Sequence, residues 1–288
     1  MRILRTAAEA RAASRAWKRE GLRVALVPTM GYLHEGHLSL VRLARARAGR
    51  VVVSIFVNPA QFGPAEDLDR YPRDLARDTA LCEEAGVDAL FCPDAGEVYP
   101  PGYATYVTVE GALTAGLCGA RRPGHFRGVA TVVAKLFAMV EPDAAAFGQK
   151  DAQQVAVVRR MTADLNLPVE LLVGPTVRET DGLALSSRNA CLTPAERAQA
   201  PVLKRALDAA AARFEAGERS AAELLSAAGT ALAAAPLARP DYVDLVDAET
   251  LEPAGPALVR PALLALAVYF GATRLIDNAV LTPSFGSC

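Results

Sequence analysis

Unbroken apolar runs and stretches of helical period alternate along the first half of the chain. Residues 22–28 (LRVALVP) and 51–57 (VVVSIFV) are continuous apolar runs rich in β-branched side chains, the pattern of central strands covered on both faces. Between them, residues 36–49 carry Leu40, Val41 and Leu43 interspersed with Arg42, Arg45 and Arg47, as an amphipathic crossover helix does. The alternation continues with a helix at 74–86, a strand at 87–92, a long apolar helix at 125–140, a short strand at 144–147, a helix at 151–165 and a strand at 169–173. Residues 1–20, rich in charge, read as one amphipathic helix. Repeated strand–helix–strand order predicts a Rossmann-like, doubly wound parallel α/β sheet.

After about residue 190 the pattern changes. Residues 193–235 are rich in Ala, Leu, Glu and Arg and read as two helices broken near Gly217, followed by strands at 242–246, 263–269 and 272–276. Helices followed by neighbouring strands predict a smaller C-terminal α+β domain. The expected division is therefore 1–184 for the Rossmann-like domain and 185–288 for the smaller C-terminal domain.

Composition narrows the function. Hydrophobic residues make up 52% of the 288-residue chain and charged residues 22%, enough apolar material for a sizeable core. Lys and Arg number 31 against 32 Asp and Glu, a balance that argues against a nucleic-acid surface. The five cysteines, Cys82, Cys92, Cys118, Cys191 and Cys288, have no CxxC spacing, which disfavours a disulfide framework and favours a reducing, cytoplasmic setting. The longest apolar runs, such as 261–270, fall short of the ~20 residues that span a bilayer, so no membrane role is expected.

The candidate chemistry lies where strands end. Pro28-Thr-Met30-Gly31-Tyr32-Leu33-His34-Glu35-Gly36-His37 follows the first apolar run and opens the first crossover helix. A helix N-terminus offers unpaired N–H groups and a positive dipole to phosphate. Two imidazoles three residues apart there can donate to phosphate oxygens. The competing readings are a simple helix cap by His34 with His37 packed beneath it, and a zinc site, which would need further ligands in a chain without an HExxH pattern. Asn58-Pro-Ala-Gln61 sits past the second strand, where neutral amides suit hydroxyl and carboxylate recognition. Residues 64–72, with Tyr71, read as a polar flap. Arg121-Arg122-Pro-Gly-His125-Phe-Arg127-Gly128 supplies guanidinium groups of the kind that clamp phosphate. Gly148-Gln149-Lys150-Asp151 begins another helix, with Lys150 as a point charge, Asp151 as a cap or ribose ligand, and Gln154 one turn on. Leu185-Ser186-Ser187-Arg188-Asn189 offers hydroxyls and a guanidinium, although an N-capping turn would look the same.

Together these segments resemble the pantothenate synthetase (pantoate–β-alanine ligase) family, in the nucleotidyltransferase superfamily with the HxGH motif. The resemblance runs along nearly the whole chain and rests on VPTMGYLHEGH at 27–37, SIFVNPAQF at 54–62, RPGHFRGV at 122–129, FGQKDAQQ at 147–154, DGLALSSRN at 181–189 and RLIDN at 274–278. Ala60 stands where Met is common in the family, Gln149 where Glu often stands, and Cys118 where some members have Glu. The resemblance implies that residues 30–37, Arg122, residues 148–151, Val177 and residues 185–188 bind ATP. His34, His37, Lys150 and Arg188 would be the catalytic cations and donors, and Gln61, Gln154 and Asn58 would hold pantoate. It further implies Mg²⁺ travelling with ATP, β-alanine as the amine acceptor, and a homodimer. The expected reaction condenses (R)-pantoate with β-alanine through a pantoyl adenylate, releasing AMP and pyrophosphate. The rivals are a related enzyme that transfers a nucleotide to a phosphorylated acceptor, and a non-catalytic nucleotide-binding module.

Overall fold

The computed structural model describes residues 1–63, 68, 69 and 71–283. Of the segment 64–72 expected as a flap, residues 64–67 and 70 therefore lie outside the described residues, as does Cys288. The chain forms two compact units. One comprises Met1–Val109, Arg122–Gln149 and Val157–Val177, the other Glu110–Arg121, Lys150–Ala156 and Arg178–Cys288. The second unit thus starts a few residues before the 184/185 division expected from composition and also takes in two earlier segments. Nothing in the local sequence of those segments marks where they pack.

The first unit is built on a parallel sheet of strands β1 (Arg2–Leu4), β2 (Val24–Thr29), β3 (Arg50–Ile55), β4 (Ala89–Phe91), β5 (Ala144–Gly148) and β6 (Glu170–Gly174), in the order β1-β4-β3-β2-β5-β6. The two long apolar runs became its centre. Val24, Ala25, Leu26 and Val27 are all fully buried, because helices cover both faces of a doubly wound sheet. The helix Glu35–Arg45 lays Leu40, Val41 and Ala44 against one face, packed with Ala25, Val27, Val51 and Val53. The amino end departs from expectation. Residues 1–20 hold strand β1 and then a helix, Ala7–Arg19, with Thr6 and Glu9 forming a capping box. A strand of three residues is too short for periodicity to reveal; its pairing with β4, Arg2 opposite Ala89, is what defines it.

Strand order reverses between β2 and β5. From β2 the chain moves outward through β3 and β4, then returns to place β5 on β2's other side. Ligands in open α/β sheets bind outside the carboxyl ends of the strands at such a reversal. There β2 runs into residues 30–34 and β5 into Gln149.

The second unit contains an antiparallel sheet β7-β8-β9 (Ala238–Asp247, Ala262–Phe270, Thr273–Leu281). Helices Val202–Glu215 and Ala221–Ala233 pack Leu203, Leu207, Phe214, Leu224 and Leu232 with Leu264, Leu266 and Phe270. A further short helix, Pro194–Gln199, precedes them. Strand β7 begins earlier than expected and continues through Pro240, where its register shifts; a bulge lets a residue without an N–H sit inside a strand. Among the described residues, no helix is long and apolar enough to cross a membrane.

Candidate active site

His34 is the N-cap of the helix Glu35–Arg45, and its Nδ1 accepts from Gly36 N at 3.2 Å. His37 turns back, its Nδ1 accepting from His34 N at 3.2 Å. The two rings sit 4.1 Å apart between centroids. Capping and phosphate binding are thus not alternatives. Both Nδ1 atoms face backbone N–H donors, so the proton of each neutral ring resides on Nε2. The cap therefore fixes both imidazoles as Nε2–H donors at the positive end of a helix dipole.

The turn before the cap is held by a residue the motif does not include. Gly31 has φ 84° and Tyr32 φ 51°; the left-handed region costs Tyr32 roughly 1–2 kcal/mol. Asp78, 1% exposed, accepts from Tyr32 N and Leu33 N, each at 2.7 Å. Charge-assisted bonds of this kind offset that cost. A Cβ on Gly31 would lie 3.0 Å from Asp78 Oδ2 and from Ile55 Cγ2, so position 31 needs glycine for both its φ and its surroundings. Asp78→Asn keeps one acceptor and turns an amide N–H against a backbone N–H. It is expected to lower stability by about 2 kcal/mol and kcat/KM for ATP by ~10-fold, read by thermal melting and steady-state kinetics.

Strand β3 delivers Asn58 and the 3-10 turn Pro59–Gln61. Asn58, expected to touch pantoate, is instead fully engaged by the protein. Its Nδ2 donates to Gln61 Oε1 at 3.0 Å and Gly128 O at 3.1 Å, while its Oδ1 accepts from Ala60 N at 3.2 Å and Tyr99 Oη at 2.7 Å. An amide has two donors and two acceptor positions, so Asn58 supports Gln61 and has no capacity left for a ligand. Gln61, 9% exposed, directs Nε2 at Met30 Sδ, 3.2 Å away. Its backbone oxygen is 2.9 Å from His125 Nδ1, which must donate, since a carbonyl only accepts. His125 Nε2 then accepts from Arg122 Nη1 at 3.0 Å. Met30, Gln61, Asn58, His125 and Arg122 are thereby joined within the first unit.

In the second unit, Lys150 and Asp151 lie in the 3-10 turn Gln149–Asp151, with Lys150 Nζ 3.6 Å from Asp151 Oδ2. Asn278 Nδ2 donates to Lys150 O at 2.9 Å, and Arg178 makes paired bonds of 2.6 and 3.0 Å to Asp277. The RLIDN segment therefore braces the lysine turn. Of the two glutamines, Gln153 is buried and spent on Cys118 N, Leu113 O and Gly116 O, while Gln154 is half-buried in the first turn of helix Ala152–Asp164. Ser186 caps the 3-10 helix Ser187–Cys191 by accepting from Arg188 N at 3.2 Å; Leu185 and Arg188 are half-buried. Cys118 belongs to this unit too, with Sγ 3.3 Å from Tyr242 Oη and 3.4 Å from Arg274 Nη1. In the first unit Gly148 ends β5, Gln149 follows it, and Val177 is half-buried. Burial pushes the thiols of Cys82 and Cys92 up to about 12 and about 11, which makes both poor nucleophiles.

A histidine pair on a helix N-terminus, beside the strand-order reversal of a doubly wound parallel sheet, defines a nucleotide-handling α/β protein of the HxGH kind. The chain belongs to the pantoate–β-alanine ligase family, whose model matches residues 2–280. A pantothenate synthetase of Heliobacterium modesticaldum is 58% identical over 281 residues, 98% of this chain and 99% of that protein. The crystal structure of the pantothenate synthetase of Thermus thermophilus superposes with a TM-score of 0.93 at 55% identity, covering 98% of this chain and 100% of the other. The pantoate–β-alanine ligase of Francisella tularensis, solved in complex with β,γ ATP and β-alanine, gives a TM-score of 0.78 at 30% identity over 97% of each chain.

Proposed function

We propose that the chain is an ATP-dependent pantoate–β-alanine ligase working through a pantoyl adenylate. The observation that carries the reading is the histidine pair, fixed as Nε2–H donors at the head of the helix Glu35–Arg45, in a chain of this family. The Francisella relative's complex with an ATP compound and β-alanine supports the same substrates.

In the first step a carboxylate oxygen of pantoate attacks the α-phosphorus of ATP, and the bond to the bridging oxygen breaks as pyrophosphate leaves. A carboxylate is already an anionic nucleophile, so this step calls for alignment and charge stabilisation more than for a base. On the first unit His34 and His37 donate to phosphate oxygens, with Met30, Gly31, Tyr32, Leu33, Glu35 and Gly36 lining the nucleotide's path and Arg122 adding positive charge. Gly148 and Gln149 offer backbone groups, Val177 touches adenine, and Gln61 holds the acid. On the second unit Lys150 and Arg188 are the phosphate cations, Asp151 takes the ribose, Ser186 and Ser187 give hydroxyls beside Leu185, and Gln154 binds pantoate. In the second step the neutral amine of β-alanine attacks the acyl carbon and AMP leaves. Mg²⁺ enters with ATP as part of the substrate. A homodimer and a cytoplasmic location complete the reading.

Isotope exchange between pyrophosphate and ATP tests it. Exchange should require pantoate and no β-alanine. Exchange driven by a phosphorylated acceptor, with pantoate inert, would replace this reading with that of a nucleotide transferase.

A further inference from the structure

We propose that Tyr99 is a positioning residue for the acid substrate, acting through Asn58 to hold Gln61 as a hydrogen-bond donor toward pantoate. The role rests on the ligase reading above and gives it a polarity. Asn58 is 1% exposed, and two backbone groups settle which way its amide points. Ala60 N–H must donate to Oδ1 and Gly128 O must accept from Nδ2; the reversed amide would set donor against donor and acceptor against acceptor. Tyr99 Oη, 2.7 Å from Oδ1, can then only donate. Burial raises the Tyr99 hydroxyl above the usual tyrosine range, so it keeps that proton at any working pH.

The other end of the relay follows from the same logic. Asn58 Nδ2 donates to Gln61 Oε1 at 3.0 Å, which takes one of the two acceptor positions of that carbonyl and fixes which way the Gln61 amide points, with Nε2 as its donor. The neighbour of Nε2 in this structure is Met30 Sδ at 3.2 Å, a weak acceptor that a carboxylate or alcohol oxygen readily outcompetes. Donation therefore runs from Tyr99 to Asn58 to Gln61 and on to an oxygen lone pair of the ligand. The Nε2 of Gln61 is thereby presented to acceptor oxygens of the hydroxy acid. Aligned chains of this kind reinforce each bond in them. The Tyr99 ring is held separately, 5.0 Å from Tyr103 and 6.2 Å from Phe56 between centroids, so phenylalanine can take its place without loss of packing.

The test is a double-mutant cycle on steady-state kinetics: wild type, Tyr99→Phe, Gln61→Ala and the pair. Tyr99→Phe is expected to raise KM for pantoate by ~10-fold, the effect of leaving one buried acceptor short of a partner. KM for ATP and the melting temperature should stay near wild type. In the Gln61→Ala background the same change should add little further loss, since the relay then has nothing to orient. Additive losses, equal changes in both KM values, or an unchanged pantoate KM would overturn the role of Tyr99 while leaving the ligase reading intact. A wild-type enzyme that shows no pantoate-dependent exchange would overturn both.

Discussion

His34→Asn is expected to keep the helix and lose the reaction. Asparagine is among the best N-cap residues, and its Oδ1 can accept from Gly36 N as His34 Nδ1 does at 3.2 Å. The melting temperature should therefore move by no more than about 2 °C. What the amide cannot reproduce is an Nε2–H projected a ring's length beyond the cap. Removing one preorganised donor from a site of developing charge lowers rates by ~10²–10³-fold, and pantoate-dependent pyrophosphate exchange should fall by that amount. His34→Ala should lose the same rate and, in addition, ~1 kcal/mol of stability with the cap. The pair of variants thus separates two roles that occupy different nitrogens of one ring. Near-normal exchange in His34→Asn would show that capping is all His34 does.

That separation marks where reading the sequence was sufficient and where it was not. The apolar runs at 22–28 and 51–57 became β2 and β3 because a strand buried on both faces has little choice of composition. The helix expected at 125–140 came out as His125–Val140, its apolar face being long enough to declare its period. The HxGH segment placed the histidines on a helix N-terminus, yet spacing could not say which ring nitrogen is committed to the backbone. That depends on the β-region conformation of His34 and on the geometry of a single turn. Asp78 and Tyr99 were invisible for another reason. Asp78 acts on backbone groups 46 and 45 residues away, and Tyr99 on an amide 41 residues away. Neither lies inside a motif of its own, and only the strand order β4-β3-β2 brings those ends together. Asn58 shows the converse limit. Its residue type suited substrate recognition, but its hydrogen-bonding capacity is filled by groups from three separate parts of the chain.

Gly128→Ala is expected to damage the acid-binding corner more than any other single methyl group added to the first unit. A Cβ at this position would lie 2.1 Å from Ala60 O, 2.4 Å from Ala60 C and 2.6 Å from Gln61 N. All three are backbone atoms, so no side-chain rotation relieves the clash. Helix propensity works in the opposite direction, since alanine gains about 1 kcal/mol over glycine inside a helix. An overlap of this depth exceeds that gain, overpacking alone costing ~1–3 kcal/mol or more. Either the helix His125–Val140 lifts from the turn Pro59–Gln61 or the turn shifts, and both movements break the bond from Asn58 Nδ2 to Gly128 O. Gln61 then loses its fixed orientation, and a misplacement near 1 Å is worth roughly 10²-fold in rate. The melting temperature should drop by ~5 °C, and pantoate-dependent exchange by roughly 10²-fold or more. Gly229→Ala is the matched control: it lies within the helix Ala221–Ala233, and an added Cβ there meets nothing within 4 Å. That variant should be as stable as wild type or slightly more so. If Gly128→Ala behaved like Gly229→Ala in melting and in exchange, the close approach of helix and turn would not be what positions Gln61.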